Sequence, residues 1–124
     1  NAYPLMALTG GRNANQAWLA DIAGPHLQMG WSTWVEINPE TAAKLGVKEN
    51  DTVWVESPVG RIQGIVKLYE GIHPEVVGMP LGFGHTAMGR WAEGIGENPR
   101  KIQEADLGDG LPRERLTRVK VYKV

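Results

Sequence analysis

Apolar and polar positions are most clearly ordered between residues 34 and 68, WVEINPETAAKLGVKENDTVWVESPVGRIQGIVKL. Trp34 to Ile37 is a short apolar and β-branched run, which predicts a strand. It stops at Asn38-Pro39, where an N-cap side chain precedes the residue best suited to the first helical position, so a helix is expected to start there. Glu40 complements the dipole, Ala42, Ala43 and Leu45 offer a small apolar face, and Gly46 suits a left-handed C-terminal cap. About two turns fit between these signals. Asn50-Asp51 predicts a tight turn with Asn50 at positive φ, and Thr52 to Glu56 then alternates with Val53 and Val55 on one face. Ser57-Pro58-Val59-Gly60 is turn chemistry, after which Arg61 to Leu68 resumes the alternation with Ile62, Val66 and Leu68. A helix this short cannot shield a sheet. The strands must therefore close on other strands, which predicts a mainly β fold built as a small barrel rather than a layered α/β sandwich.

Elsewhere the pattern is more broken. Tyr3 to Thr9 reads as a first strand, and Trp18 to Ile22 as one helical turn or an extended pad ended by Gly24-Pro25, with Trp18 and Trp31 expected in the core. His26 lacks a spaced ligand partner and reads as solvated or hydrogen-bonded. Glu70 to Pro74 is a turn in which His73 is expected to be structural, and Val76 to Met79 is a short buried strand ended by Pro80. Lys101 to Leu111 is polar and expected to be exposed. Arg115 to Val124 predicts a final edge strand with Val119 and Val121 inward and Arg118 and Lys120 outward.

Two stretches carry candidate chemistry. Thr9-Gly10-Gly11-Arg12-Asn13-Ala14-Asn15-Gln16 is a polar glycine loop directly after a strand. Adjacent glycines let backbone N–H groups approach a ligand, and Arg12, Asn13 and Gln16 suit phosphate oxygens or the polar edge of a heterocycle. An ordinary surface turn fits the same residues, because the spacing matches no phosphate-binding fingerprint. Leu81 to Pro99 holds glycines at 82, 84, 89, 94 and 96, yet Phe83, Met88, Trp91 and Ile95 make it too apolar for disorder. Its polar candidates are His85, Thr86, Arg90 and Asn98, either holding the loop's own backbone or touching a ligand.

Composition narrows the classes. At 124 residues the chain fits one domain, and 16 glycines with 8 prolines favour strands and turns over a helix bundle. Thirteen basic against fourteen acidic side chains give a net charge of −1, so nucleic acid is not an expected partner. With no cysteine there is no disulfide, no thiolate metal ligand and no cysteine-held iron–sulfur cluster, and the compartment stays open. No apolar run reaches the length that spans a bilayer, so no direct membrane insertion is expected. The start, lacking methionine and a basic leader, reads as a domain boundary within a larger polypeptide.

Taken together, YPLMALTGGR at 3 to 12, WLADI at 18 to 22, VEINPETAAKLGVKENDTVWVESPVGRI at 35 to 62, GIHPEVVGMPLGFGH at 71 to 85 and Gly96-Glu97-Asn98-Pro99 resemble the C-terminal molybdopterin guanine dinucleotide-binding domain of the dimethyl sulfoxide reductase family. The resemblance covers nearly the whole chain. It implies a double-psi β-barrel with short helices and a long glycine-rich loop. It also implies a cofactor, molybdopterin guanine dinucleotide, whose molybdenum or tungsten is held through other domains. Thr9, Gly10, Gly11, Arg12 and Asn13 become candidate contacts, with Gln16, Trp18 and Leu19 behind them. Asn98 is expected at a pterin edge, with Gly84 and His85 lining the approach. The family's Thr-Gly-Arg is interrupted here by a second glycine, and Asn50 stands where glycine is common.

The segment GFGHTAMGRWAEGIGENP is similar to the large subunits of polysulfide or thiosulfate reductase-like enzymes, and also to the molybdopterin-like subunit of alternative complex III, which keeps the fold without the metal cofactor. The first resemblance implies the cofactor-enclosing domain of a molybdenum or tungsten oxidoreductase, inactive by itself. Its partners would be the remaining domains of the parent and iron–sulfur and membrane subunits. The second implies a cofactor-free structural domain of a membrane-bound electron-transfer complex.

Overall fold

Asn38 and Gly46 set the limits of the central helix. The Asn38 side-chain oxygen accepts from the Glu40 N–H at 3.0 Å, and Gly46 takes a φ of 69° so that its N–H returns to the carbonyls of Ala42 and Ala43. The computed structural model describes residues 1–8, 11–22, 29–106, 113–114 and 117–124, with the backbone alone at 105, 106, 113 and 114. In chain order the elements are strand β1 (Ala2–Pro4), helix α1 (Ala17–Asp21), β2 (Trp34–Ile37), helix α2 (Pro39–Leu45), β3 (Thr52–Glu56), β4 (Arg61–Leu68), β5 (Val77–Leu81), a 3-10 turn (Pro99–Ile102), β6 (Ala105–Asp106), β7 (Arg113–Glu114) and β8 (Lys120–Lys123).

The fold is mainly β. Six strands form one mixed sheet in the order β1-β5-β2-β4-β3-β8, while β6 and β7 pair separately. β2 runs parallel to β4, and β1 parallel to β5. The β3–β4 hairpin is held at its turn by Ser57, whose N–H donates to Gly60 O at 2.8 Å and whose hydroxyl oxygen accepts from the Val59 N–H at 3.1 Å. Asn50 reaches its φ of 66° as predicted.

β2 separates two hydrophobic clusters. Val35 and Ile37 face the larger one with Val53, Val55, Ile62 and Val66, whereas Trp34 faces Leu5, Leu8, Leu19 and Phe83. This follows from the period of two along a strand buried on both sides. Truncating a residue as enclosed as Trp34, 1% exposed, costs about 3–5 kcal/mol. Its indole N–H is also satisfied, donating to Tyr3 Oη at 3.0 Å and Glu36 Oε1 at 3.1 Å, while the Tyr3 hydroxyl donates to Glu36.

Several expectations need correction. The first strand ends at Pro4, because Leu5 and Leu8 both turn into the smaller cluster and the chain folds back at Leu8, whose carbonyl accepts from the Gly11 N–H at 2.8 Å. β5 continues through Pro80 instead of ending there. Met79 donates to Asn1 O on the β1 side, so the Pro80 nitrogen faces β2, whose ladder stops at the Glu36–Gly78 pair, and no donor is missed. On α2 only Ala42 is buried, Leu45 being 43% exposed, and Leu68 at the end of β4 is 38% exposed. Trp18 and Trp31 stay out of both clusters, at 63% and 36% exposure. The last strand is shorter than expected, Lys120–Lys123, with Val121 buried against β3. Ile102, within the stretch expected to be exposed, is buried at 4%. His73 is structural, its Nδ1 accepting from the Glu75 N–H at 3.2 Å. His26, residues 107–111 and residues 115–116 lie outside the described residues.

Candidate functional site

The two glycine-bearing loops meet on the side of the sheet where Trp34 and Phe83 pack. The first leaves Leu8 as consecutive turns, Ala14 N–H to Gly11 O at 3.1 Å and Gln16 N–H to Asn13 O at 3.0 Å, and runs into α1. Gly11 has a φ of 101°, a conformation that a side chain makes costly.

The late loop leaves β5 and returns at Asn98. Its two arms are joined by Gly84 N–H to Ile95 O at 2.8 Å and Gly94 N–H to His85 O at 3.0 Å. Its base is tied to the strand leader by Thr33, 1% exposed, whose hydroxyl donates to Glu97 O and accepts from the Glu97 N–H, both at 2.8 Å. Gly84, with a φ of 77°, lies so close to the Glu97–Asn98 peptide that a Cβ would collide with the Asn98 nitrogen.

The loops touch in two places. At the tip, Asn15 Oδ1 accepts from the Trp91 N–H at 3.0 Å, and its amide fills the space a Gly89 Cβ would need. Deeper in, the His85 ring lies on Gly11: a Cβ there would stand 2.8 Å from Nε2. That Nε2 is buried and makes no hydrogen bond among the described residues. Leaving a buried nitrogen unpaired costs about 1–3 kcal/mol. Beside it is a small cleft lined by Leu81, Gly82, Phe83, His85, Asn98 and Arg100. Asn98 uses its side-chain oxygen to cap the 3-10 turn, accepting from the Arg100 N–H at 3.0 Å. With its oxygen so engaged, the amide NH2 is the remaining hydrogen-bonding group of a side chain that lines the cleft.

Of the predicted contacts, Gly11, Gly84, His85 and Asn98 lie together. Arg12 and Gln16 are exposed on the first loop, and Asn13 is half-buried within it. Trp18 is exposed on α1, while Leu19 packs in the smaller cluster. Thr9 and Gly10 lie outside the described residues. Asn15 and Thr33, which join the loops to each other and to the sheet, were not singled out by sequence reasoning. No periodicity marks such clamps, although Asn15 is within the polar loop. Among the described residues no group of three or more His, Asp or Glu side chains is arranged to hold a metal ion, and no helix is long and apolar enough to cross a membrane.

Comparison with known proteins bears on this arrangement. The chain is 43% identical over 65 residues, 52% of its length, to the molybdopterin-binding-like subunit of menaquinone reductase from Nitratidesulfovibrio vulgaris, of which it covers 9%. It is 33% identical over 106 residues to the molybdopterin-containing subunit of the arsenate respiratory reductase of a Shewanella species, covering 78% of this chain and 12% of that protein. It therefore spans about a tenth of the length of these relatives. Acetylene hydratase from Pelobacter acetylenicus shares its fold, with a TM-score of 0.68 at 20% identity, over 99% of this chain and 18% of that one. Residues 6–108 match the family model described as "Molydopterin dinucleotide binding domain", so the chain belongs to the molybdopterin dinucleotide-binding domain family, whose relatives are subunits of molybdopterin oxidoreductases.

Proposed function

We propose that this domain encloses one side of molybdopterin guanine dinucleotide in a larger molybdenum or tungsten oxidoreductase of the polysulfide or thiosulfate reductase type. The observation that carries the reading is the convergence of the two loops on the buried, unpartnered Nε2 of His85. The residues present fit such a group. Nε2 of His85 and the Asn98 amide are hydrogen-bonding groups suited to a heterocycle with fixed donors and acceptors, Gly11 and Gly84 let His85 and the Glu97–Asn98 peptide take up these positions, and the exposed Arg12 suits a phosphate. Thr9, Gly10, Asn13 and Gln16 complete the loop, with Trp18 beside it and Leu19 supporting it from the core. When bound, the cofactor supplies metal-centred electron transfer, often with an oxygen or sulfur atom. The chain's share is to orient its rings, exclude water and adjust their electronics through hydrogen bonds.

The barrel in this reading is of the double-psi type, which the parallel pairing of β2 with β4 and of β1 with β5 supports. The parent's remaining domains supply the metal ligand and most cofactor contacts, and iron–sulfur and membrane subunits carry the electrons. A second reading, a cofactor-free structural domain of a membrane-bound electron-transfer complex, is favoured by the 43% identity to a protein called molybdopterin-binding-like.

Metal and pterin analysis of the parent protein from its native host separates the two. About one molybdenum or tungsten and two pterins per chain are expected from the oxidoreductase reading. A folded, assembled protein holding neither overturns it in favour of the scaffold.

A further inference from the structure

Between Gly89 and Glu93 the late loop makes a single turn, the N–H groups of Ala92 and Glu93 both donating to Gly89 O at 3.0 Å. Gly89 therefore stands where a helix has its N-cap residue, and Trp91, two positions on, carries one of the N–H groups from which a cap side chain accepts. Glycine has no side chain to offer, and its φ of 99° is one that other residues rarely adopt. The missing acceptor comes from the other loop. Asn15 Oδ1 accepts from the Trp91 N–H at 3.0 Å, across 76 residues of chain. The Asn15 amide also fills the place of the absent side chain, its atoms 2.5–2.7 Å from where a Gly89 Cβ would stand. Asn is among the residues preferred for capping within one segment, and here it caps from another.

The capped turn is joined to His85. Glu93, its last residue, forms an isolated parallel β-bridge with His85, and the next N–H, that of Gly94, donates to His85 O at 3.0 Å. The His85 ring lies on Gly11, and Gly11 O accepts at 3.1 Å from the N–H of Ala14, the residue before Asn15. These contacts close a ring, from Asn15 to the turn, from the turn to His85, from His85 to Gly11 and from Gly11 back to Ala14. Asn15 is its exposed member, whereas Gly11 and Ala14 are buried. It belongs to neither hydrophobic cluster, so its side chain bears on where His85 sits without supporting the core.

We infer that Asn15 is a positioning residue: by capping the Gly89–Glu93 turn from the other loop, it fixes the late loop on the first loop and holds His85 over Gly11. Its consequence for cofactor retention rests on the enclosure proposed above, whereas the fixing of the two loops does not. Hydrogen exchange resolved to single amides, in the full-length parent and its Asn15→Ala and Asn15→Asp variants, tests it. In Asn15→Ala the Trp91 amide is expected to exchange about fivefold faster, the usual effect of losing a cap acceptor. The Gly94 amide, bonded to His85, should speed up with it by at least about twofold, and Asn15→Asp, which keeps an accepting oxygen, should return both to the natural rates. A merely local cap would move Trp91 alone. Unchanged exchange at Trp91, or faster exchange at Trp91 with Gly94 unmoved, overturns the inference. Pterin released from the same samples, followed by its fluorescence, decides the link to the cofactor. Release at least about threefold faster in Asn15→Ala and natural in Asn15→Asp upholds that link, and unchanged release overturns it. A parent without pterin fails the enclosure and leaves the exchange rates to decide the role of Asn15.

Discussion

The His85 ring occupies the place of the side chain that Gly11 lacks, with Nε2 2.8 Å from where a Cβ would be. Two loops far apart in sequence therefore share one packing contact, and the glycine of one is a space requirement of the other.

Gly11→Ala meets both the ring and a φ of 101°, so a loss of about 1–3 kcal/mol is expected, with a fall in cofactor content of the parent. Gly46→Ala has a φ of 69° but open space, and is expected to cost only about 1 kcal/mol. Urea denaturation of both variants checks this. Equal losses would show that backbone conformation alone, not the histidine, governs position 11.

Asn98 has two separable tasks. Asn98→Asp keeps the oxygen that accepts from the Arg100 N–H and removes the amide donor, so stability should hold within about 0.5 kcal/mol while pterin content of the parent falls. Asn98→Ala should lose about 1 kcal/mol besides. Undiminished pterin in Asn98→Asp would remove this residue from the site.

Thr33→Val leaves Glu97 N–H and C=O without their partner in a buried setting. A cost of about 1–3 kcal/mol is expected, with faster hydrogen exchange at the Glu97 amide. Thr33→Ser should restore most of both. If exchange at Glu97 is unchanged in Thr33→Val, the hydroxyl is not what ties the late loop.

Burial raises the pKa of the Tyr3 phenol, and its hydrogen bond to Glu36 adds to the effect. A raised folded-state pKa means that Tyr3 contributes its full stability below its unfolded value near 10 and loses it as pH rises further. Denaturation midpoints between about pH 8 and 11 should therefore fall more steeply for the natural chain than for Tyr3→Phe. Parallel profiles would contradict the assignment.

Asp51 titrates at the other end of the scale. The Lys123 ammonium at 3.0 Å and the Lys48 N–H at 2.9 Å hold its pKa low. Its contribution is present above its unfolded value near 4 and disappears as pH falls through the lower folded value. Asp51→Asn should be less stable than the natural chain at neutral pH and should converge with it in acid. A constant difference down to low pH would rule out ionisation as the cause.

The stretch from Trp34 to Ile62 is legible in one dimension because its signals are local. Asn38-Pro39, Gly46, Asn50 and the Ser57 turn each act within a few residues, and the alternation of Val53 and Val55 states which face is buried. The same stretch carries the most specific part of the family resemblance, so both membership and a mainly β fold were readable from the residues.

The tertiary structure decided what depends on partners far along the chain. Pro80 is tolerated inside β5 because the β2 ladder has ended beside it, and Leu5 and Leu8 leave the first strand because Trp34 and Phe83 provide a second core. Trp18 looks like a core residue by composition, yet remains exposed because α1 turns Leu19 and Ala20 inward instead. The site belongs to this second kind of information. Sequence named Gly11, Gly84, His85 and Asn98 separately, but only folding sets His85 on Gly11 and leaves its Nε2 unpaired, since no local propensity specifies a contact across 74 residues of chain.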